Sequence, residues 1–171
     1  KTAYDNFDSL QIKLPKTEAI SSGIYDFTEY QKEGKTTIVL VSQKNNNTLV
    51  KLIDYSKIVS ILIERTGMGS SGESYLVGKD FHMRSPSRFL TKRIPSDISV
   101  KTKGVFDAFS DSSERRIFND YRGVEVYSAY SQINISNLKL AILSEIDVSE
   151  VKAPTELLIA MAVRAYTIVK N

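Results

Sequence analysis

The chain has 171 residues, of which 42% are hydrophobic and 25% are charged. This is the composition of an ordinary soluble globular chain, not of a disordered or fibrous one. A chain of this length buries roughly 70% of the surface that its unfolded form exposes, so it needs no metal ion or disulfide to hold a core. It has no cysteine and one histidine, His82, which excludes disulfides, thiolate nucleophiles and most zinc sites. We therefore expect no metal ion and no cofactor.

The formal net charge of +3 comes from 23 basic and 20 acidic side chains. A surface that binds nucleic acid combines basic residues with aromatic rings on which bases stack. The densest basic stretch, between Arg84 and Lys103, offers only Phe81 and Phe89 for stacking. We therefore expect no nucleic-acid partner.

The first predicted elements are an N-terminal entry and a hairpin. Residues 1–22 have a weak pattern that Pro15 interrupts, which predicts a short helix or an irregular segment. Strands are predicted at Thr36–Ser42 and Thr48–Asp54, which are rich in Ile, Val and Leu. The segment Lys44–Asn47 between them has the composition of a turn.

The hydrophobic period changes to that of a helix after the hairpin. Apolar residues recur at helical spacing over Ile58–Leu62, Asp54 can cap the first turn, and Gly67 suits a left-handed residue after the last turn. The pattern predicts a helix over Tyr55–Thr66.

A second strand pair is predicted at Ser74–Val77 and Phe81–Ser85, joined by a turn at Gly78–Asp80. Pro86 and Pro95 then bracket a loop.

A short helix is predicted around Val105, Phe106 and Phe109, which share one helical face. Gly104 weakens this helix by about 1 kcal/mol relative to alanine.

The residue pattern in the last third of the chain predicts strands at Arg115–Asn119, Val124–Ser131 and Leu138–Ile146, followed by a helix over Pro154–Val169. Hairpin-length connections cannot join parallel strands. The fold class is therefore α+β, an antiparallel sheet flanked by helices. We expect the strands of both hairpins and of the last third to share one bowl-shaped layer that is open on its concave side.

The run Gly67–Gly72 matches the nucleotide-binding pattern G-x-G-x-x-G. A phosphate loop follows a strand and opens a helix, so that helix N-terminal amides face the anion. Here the loop follows a helix and precedes a strand, and Glu73 occupies the place of the phosphate-binding lysine. We interpret the glycines as a helix stop and connector.

Two carboxylate pairs, Asp111 with Glu114 and Glu145 with Asp147, could serve as general acid and base. Solvated side chains are the preferred interpretation of both pairs. His82, with Asp80 as its nearest carboxylate in the sequence, is interpreted as a partly exposed structural residue.

Several of the nine tyrosines are predicted to lie near arginines on strands or turns. Flat rings with a polar tip, together with guanidinium donors, are suited to a pocket for a small anionic or zwitterionic ligand. The alternative is that these tyrosines are amphipathic residues of a half-buried sheet.

Four runs carry a resemblance to a known family: Glu64–Asp80, Met83–Phe89, Asp120–Tyr130 and Leu138–Asp147. They resemble the extracytoplasmic Cache (PAS-like, double-Cache type) sensor domains of bacterial and archaeal transmembrane receptors. The resemblance implies a curved antiparallel sheet flanked by helices, a pocket over one face of the sheet, and a C-terminal helix that carries the signal toward the membrane.

The resemblance also implies a division of the chain. Residues 1–54, with their hairpin, are expected to be a truncated or reduced distal module. Residues 55–152 are expected to be the PAS-like domain, and residues 153–171 the juxtamembrane helix.

We therefore predict an extracytoplasmic ligand-sensing domain of a histidine kinase, chemoreceptor or cyclase, which binds a small molecule and is dimeric in the full-length receptor. The domain itself is not expected to be an enzyme, since no nucleophile, base or metal constellation is present. Arg84 and Arg122 are predicted as anion donors, and Tyr75 and Tyr127 as pocket walls. The alternative is a ligand-free dimerisation or protein-interaction module.

Overall fold

The structure is a computed structural model that describes residues 20–31, 33–44, 47–110 and 114–169. The predicted N-terminal segment 1–22 therefore lies outside the described residues except for its last three. The middle of the predicted turn at 44–47 and Asp111, the first member of the carboxylate pair with Glu114, lie outside them too.

Within the described ranges, seven strands form two antiparallel sheets, with the orders β1–β2–β3 and β4–β7–β6–β5. The strands are β1 Gly23–Asp26, β2 Ile38–Lys44, β3 Asn47–Leu52, β4 Glu73–Val77, β5 Glu114–Asn119, β6 Glu125–Ile135 and β7 Leu138–Asp147. The helices are α1 Ser56–Leu62, α2 Lys103–Phe109 and α3 Val148–Val169. The predicted α+β class and the antiparallel pairing are confirmed.

The first sheet contains the predicted hairpin, in which β2 and β3 pair with Val41 opposite Val50. Val39, Val41 and Val50 are buried around Phe27 and form the core of this sheet. Alternating valines on β2 thus supply the dry face that holds the sheet together.

The expectation of one continuous layer is wrong, because the free edge of β4 is already occupied. The Arg84 amide donates to the carbonyl of Leu76, 2.7 Å away, and the Leu76 amide donates to Oγ of Ser85 at 2.9 Å. No β4 edge remains for the hairpin, which builds its own sheet and packs Ile38 against Leu76 and Leu138.

The predicted strand at Phe81–Ser85 is also wrong. Phe81 closes the predicted turn, donating its amide to the Gly78 carbonyl at 3.0 Å, and has a φ of 62° that an extended strand does not allow. Only isolated bridges follow, Val77 with Met83 and His82 with Ser99.

Helix α1 ends at Leu62, before the predicted Thr66. The carboxylate of Glu64 accepts hydrogen bonds from the amides of Arg65 and Thr66, both at 2.9 Å. A side chain that binds local amides in this way competes with continuation of the helix.

Helix α2 forms as predicted and packs on the second sheet. A Cβ atom at Gly104 would lie 2.5 Å from Cζ of Phe118 and 3.1 Å from a methyl carbon of Leu143. The glycine therefore weakens the isolated helix but allows α2 to approach the sheet closely.

The two faces of the second sheet differ. Tyr75, Leu143 and Val105 are fully buried between the sheet and α2, so this face is filled. On the opposite face, the β5–β6 end leaves Ile117 48% exposed and Tyr127 37% exposed.

Helix α3 begins at Val148, directly after β7, and contains Pro154 as an internal residue. The predicted start at Pro154 is wrong because the first turn is already fixed by contacts of Glu150, which are described below. Residues Leu157 to Met161 of α3 are exposed. No helix within the described ranges combines the length and hydropathy of a membrane-spanning segment.

The proposed boundary between residues 152 and 153 falls inside α3. The three-part division of the chain stays a prediction.

Candidate functional site

Arg84 joins the two sheets. Its guanidinium is 2% exposed and donates through Nε to Oδ2 of Asp26 on β1, 2.6 Å away. Nη2 lies 2.8 Å from Oδ1 of Asp80 in the turn after β4. Burial lowers the pKa of Arg84, but the charges of Asp26 and Asp80 outweigh that effect and raise it overall. Arg84 therefore stays charged and holds β1 against the second sheet.

Gly78 provides the room for this guanidinium. A Cβ atom there would lie 2.3 Å from Nη2 of Arg84. Packing against Arg84 therefore requires glycine at this turn position.

A cleft of about 160 Å³ opens beside Arg84, between the two sheets, and we call it the inter-sheet cleft. Its lining includes the acidic Asp26, Glu29 and Asp80 and the basic Lys79, Arg84 and Lys139. A liquid water occupies about 30 Å³, so the cleft has room for a molecule of a few non-hydrogen atoms.

The charges of the inter-sheet cleft are not all neutralised internally. Arg84 pairs with Asp26 and Asp80. Within the described part of the chain, no ion pair within 4.0 Å joins Lys79, Lys139 or Glu29 to a protein side chain. Two ammonium groups and one carboxylate therefore remain for a ligand.

The second part of the site is the start of α3, where it meets the glycine loop, residues 67–72. The amides of Ser70 and Ser71 donate to the two carboxylate oxygens of Glu150, each at 2.7 Å. Ser71 Oγ also donates to Glu150 and accepts the amide of Asp147 at 3.0 Å. These bonds lower the pKa of Glu150 to about 2.

The glycine loop thus binds an anion, but that anion is a carboxylate of its own chain. A Cβ atom at Gly69 would lie 2.2 Å from Oε1 of Glu150. This contact supports the interpretation of the loop as a connector rather than a phosphate site.

Arg122 supports the same junction from the turn between β5 and β6. Its Nε lies 2.5 Å from Oδ2 of Asp120, and its Nη2 lies 2.5 Å from Oδ1 of Asp147, the last residue of β7. Its guanidinium also stacks on Phe89, 3.8 Å from the ring centre. Arg122 therefore fixes the point at which strand becomes helix.

Two buried carboxyl groups lie next to this junction. Glu73 on β4 pairs directly with Glu145 on β7. Tyr121 donates its hydroxyl to Oε2 of Glu73 at 2.6 Å, and Tyr75 donates to Oε2 of Glu145 at 2.8 Å. The two tyrosine rings meet edge to face at 5.5 Å.

Glu145 is only 4% exposed. Burial raises the pKa of Glu145 to about 7, and the negative charges of Asp120 and Glu73 act in the same direction. The interpretation of Glu145 as a solvated side chain is therefore wrong.

The four predicted ligand residues lie in three places. Arg84 lines the inter-sheet cleft, whereas Tyr75 and Arg122 belong to the buried network beside α3. Tyr127 lies on the opposite face of the sheet, in a broad and largely apolar depression of about 690 Å³ with Ile117 and Ile146. Their joint role as one ligand site stays a prediction.

Sequence reasoning did not assign Lys79, Lys139, Glu73 or Glu150 to a site, and it did not predict the burial of Glu145. For Glu145 a signal existed: it shares one face of β7 with Ala141 and Leu143, which are fully buried. Glu150 gave no signal, because only the three-dimensional fold brings it to a loop about 80 positions earlier.

No protein-family model matches the chain, and no curated protein sequence matches it. Among solved structures it is similar to the periplasmic sensory domain of the Campylobacter jejuni chemoreceptor Tlp1, with 16% identity and a TM-score of 0.49 over 66% of this chain and 42% of that one. The chain thus spans less than half of that domain.

Two further similar structures are ligand-binding domains of chemoreceptors from pseudomonads. The Pseudomonas aeruginosa PctB domain, in complex with L-Arg, has 13% identity and a TM-score of 0.47 over 94% of this chain and 70% of that one. The Pseudomonas fluorescens CtaA domain, in complex with L-leucine, has 12% identity and a TM-score of 0.45 over 88% of this chain and 63% of that one. All three are sensory or ligand-binding domains of chemoreceptors.

Proposed function

We propose that the chain is an extracytoplasmic ligand-sensing module of a transmembrane signalling receptor. A small molecule binds in the inter-sheet cleft, and the bound state favours one arrangement of α3. The module itself catalyses no reaction; a kinase, cyclase or chemotaxis output belongs to another part of the receptor.

The observation that carries this proposal is the course of β7. Its second residue, Lys139, lines the inter-sheet cleft, and its last residue, Asp147, is held by Arg122 and Ser71 at the start of α3. The strand has 10 residues, which at about 3.3 Å per residue spans roughly 30 Å. One hydrogen-bonded element therefore joins the cleft to the helix.

A ligand acts on such an element only through a difference in affinity between two arrangements. The inter-sheet cleft can provide one because Arg84 and Asp26 reach it from different sheets. A ligand that bridges the two sheets fixes their separation and hence the position of the cleft end of β7.

The chemistry of the inter-sheet cleft supports a small zwitterionic or anionic ligand. Lys79 and Lys139 can donate to a carboxylate, and Glu29 can accept from an ammonium group. The Arg84 guanidinium is engaged by Asp26 and Asp80, so Lys79 and Lys139 are the cations of the cleft that are left for an anionic group.

A thermal-shift screen of the folded chain tests this assignment. The panel consists of the proteinogenic L-amino acids, acetate, propionate and succinate, and calorimetry then measures the affinity of each stabilising compound. We expect Lys139→Ala to weaken binding at least about tenfold, the loss of one charge-assisted hydrogen bond.

Lys57→Ala is the matched control, since Lys57 is an exposed lysine of α1 away from the cleft. It is expected to bind with unchanged affinity. A panel in which no compound binds, or a ligand whose affinity is the same in the Lys139 and Lys57 variants, would contradict the assignment.

The exposed apolar surface of α3 favours a second candidate function, self-association. Leu157, Leu158, Ile159 and Met161 are 58–68% exposed, and such a surface marks an interaction site. A ligand-free module of a receptor could act through a dimer formed by this helix and its copy.

Sedimentation of the chain over a range of concentrations tests this candidate. Association that Leu158→Glu abolishes and that no panel compound alters would support it. A monomer at all concentrations would refute it.

A further inference from the structure

One buried acidic group just before α3 takes no part in the proposed binding of a ligand in the inter-sheet cleft. Glu145 lies three residues before α3 and faces the core under the second sheet. Its Oε2 atom accepts the Tyr75 hydroxyl at 2.8 Å. Its Oε1 atom is buried and has no hydrogen-bond partner among the described residues.

A second unpartnered group lies beside it. Ser128 on β6 pairs in register with Glu145 on β7 and is 3% exposed. Its buried Oγ makes no well-aligned hydrogen bond in the described part of the chain, although it lies close enough to the Glu145 carboxyl to lower the pKa of that group. Two neighbouring buried polar atoms without partners are costly, because each loses its hydration without replacement.

We propose that Glu145 is a proton-binding site through which the pH of the surrounding solution controls the attachment of α3 to the second sheet. A proton from solvent on Oε1 converts an unpartnered buried acceptor into a donor beside the Ser128 hydroxyl. Loss of that proton leaves a buried negative charge opposite Glu73.

The surrounding charges favour the protonated form. The ionisable groups that face this part of β7 come from β4, β5, the β5–β6 turn, the loop after β4, β7 itself and α3. They are Glu73, Tyr75, Arg116, Asp120, Tyr121, Arg122, Arg88, Asp147 and Glu150.

Most of the positive charges in this set already have partners. Arg122 is held by Asp120 and Asp147, and Arg88 donates to the carbonyls of Gly69 and Gly72. Burial raises the pKa of Glu145 to about 7, although the side chains of Tyr75 and Ser128 act to lower it. The negative charges of Asp120 and Glu73 also disfavour ionisation of Glu145. Geometry and charge therefore place the transition near neutral pH.

The coupling to α3 runs along β7. Glu145 lies two residues before Asp147, whose carboxylate is held by Arg122 and whose amide donates to Oγ of Ser71. A charge on the buried Glu145 carboxyl favours displacement of this end of β7 toward solvent, which loosens Asp147 and with it the first turn of α3.

Two measurements on the whole chain between pH 5 and pH 8 test the proposal. Carbon-detected NMR gives the titration midpoint of the Glu145 carboxyl. Hydrogen exchange reports on the backbone amides of residues 144–152 and is expressed as protection factors, which removes the intrinsic pH dependence of exchange. We expect a Glu145 midpoint near 7 and a fall in protection of about tenfold across it. A midpoint near the ordinary value of 4.5, or constant protection, would overturn the proposal.

Variants separate Glu145 from the one histidine of the chain. Glu145→Gln, which cannot ionise, is expected to keep high protection from pH 5 to pH 8. His82→Gln removes the imidazole and is expected to leave the transition intact. A transition that persists in Glu145→Gln or disappears in His82→Gln would overturn the proposal.

Glu73→Gln adds a quantitative check. Removal of the carboxylate opposite Glu145 is expected to move the Glu145 midpoint to lower pH while leaving the transition in place. An unchanged midpoint would overturn the proposed charge coupling. The NMR midpoint of the unmodified chain decides the proposal even if a core variant fails to fold. No cleft ligand enters any of these measurements, so their outcome is independent of the proposed ligand site.

Discussion

Nε of Arg84 lies 2.6 Å from Oδ2 of Asp26, and this contact joins a strand of one sheet to the loop that borders the other. The side chains of both residues are largely buried, at 2% and 14% exposure. No backbone ladder runs between the two sheets, so this ion pair and the apolar packing of Ile38 against Leu76 hold them together.

Asp26→Asn is expected to reduce the free energy of unfolding by about 2 kcal/mol. The change removes one partner of a buried ion pair, which typically costs more, but Asp80 remains to pair with Arg84. Urea unfolding measures the difference. Asp97→Asn is the matched control at an exposed carboxylate, where we expect a change within about 0.5 kcal/mol. Equal effects of the two substitutions would contradict a structural role for the Arg84–Asp26 pair.

Gly104→Ala is expected to destabilise the chain although alanine favours helices. The gain in helix propensity is about 1 kcal/mol, whereas overpacking against Phe118 and Leu143 costs about 1–3 kcal/mol. Thermal unfolding should show a lower midpoint for this variant than for Lys57→Ala, a change at an exposed helix position. A higher midpoint would mean that α2 can move away from the sheet at little cost.

The elements that the sequence predicts well are those fixed by local pattern. The hairpin of β2 and β3 follows from its alternating valines, and α2 follows from Val105, Phe106 and Phe109 at helical spacing. Both depend on interactions between residues close in sequence, which a periodic pattern records.

The elements that the sequence does not predict depend on long-range contacts. The separation into two sheets follows from Arg84 and Ser85 occupying the edge of β4, and the early start of α3 accompanies the contact of Glu150 with a distant loop. Neither contact leaves a periodic signal. The candidate site is of the same kind, since only the three-dimensional fold brings Lys79 and Lys139 to one cleft and places Glu145 opposite Glu73.

The stability of the chain is expected to fall as the pH rises from about 4.5 to about 7. Burial raises the pKa of Glu145 from 4.5 to about 7, so in this window the folded state holds a proton that the unfolded state has lost. The contribution is complete below pH 4.5, is lost as the pH passes through 7, and amounts to about 3 kcal/mol at most.

Urea unfolding at pH 5 and pH 8 measures this effect. Glu145→Gln should flatten the dependence, whereas Glu125→Gln, at an exposed position on β6, should retain it. A dependence of the same size in both variants would assign the effect to other groups.

Glu150→Gln is expected to release the glycine loop from α3. The carboxylate accepts the amides of Ser70 and Ser71, so its loss should raise the exchange rate of those amides about tenfold. The pKa of Glu150 is lowered to about 2, so the stabilisation that it gives is present above its ordinary value of 4.5 and is lost as the pH falls through 2. Glu156→Gln, at an exposed position on the same helix, is the control and should leave these amides protected.

The central claim is that occupation of the inter-sheet cleft changes the arrangement of α3, and the absence of cysteine allows a direct measurement. Spin labels at Lys101→Cys and Glu156→Cys, one on the body and one on α3, report their separation, and a pair at Lys101→Cys and Glu125→Cys serves as a control within the body. With the tightest-binding panel compound, we predict a shift in the first distance distribution and none in the second. An unchanged first distribution at saturation would contradict the claim.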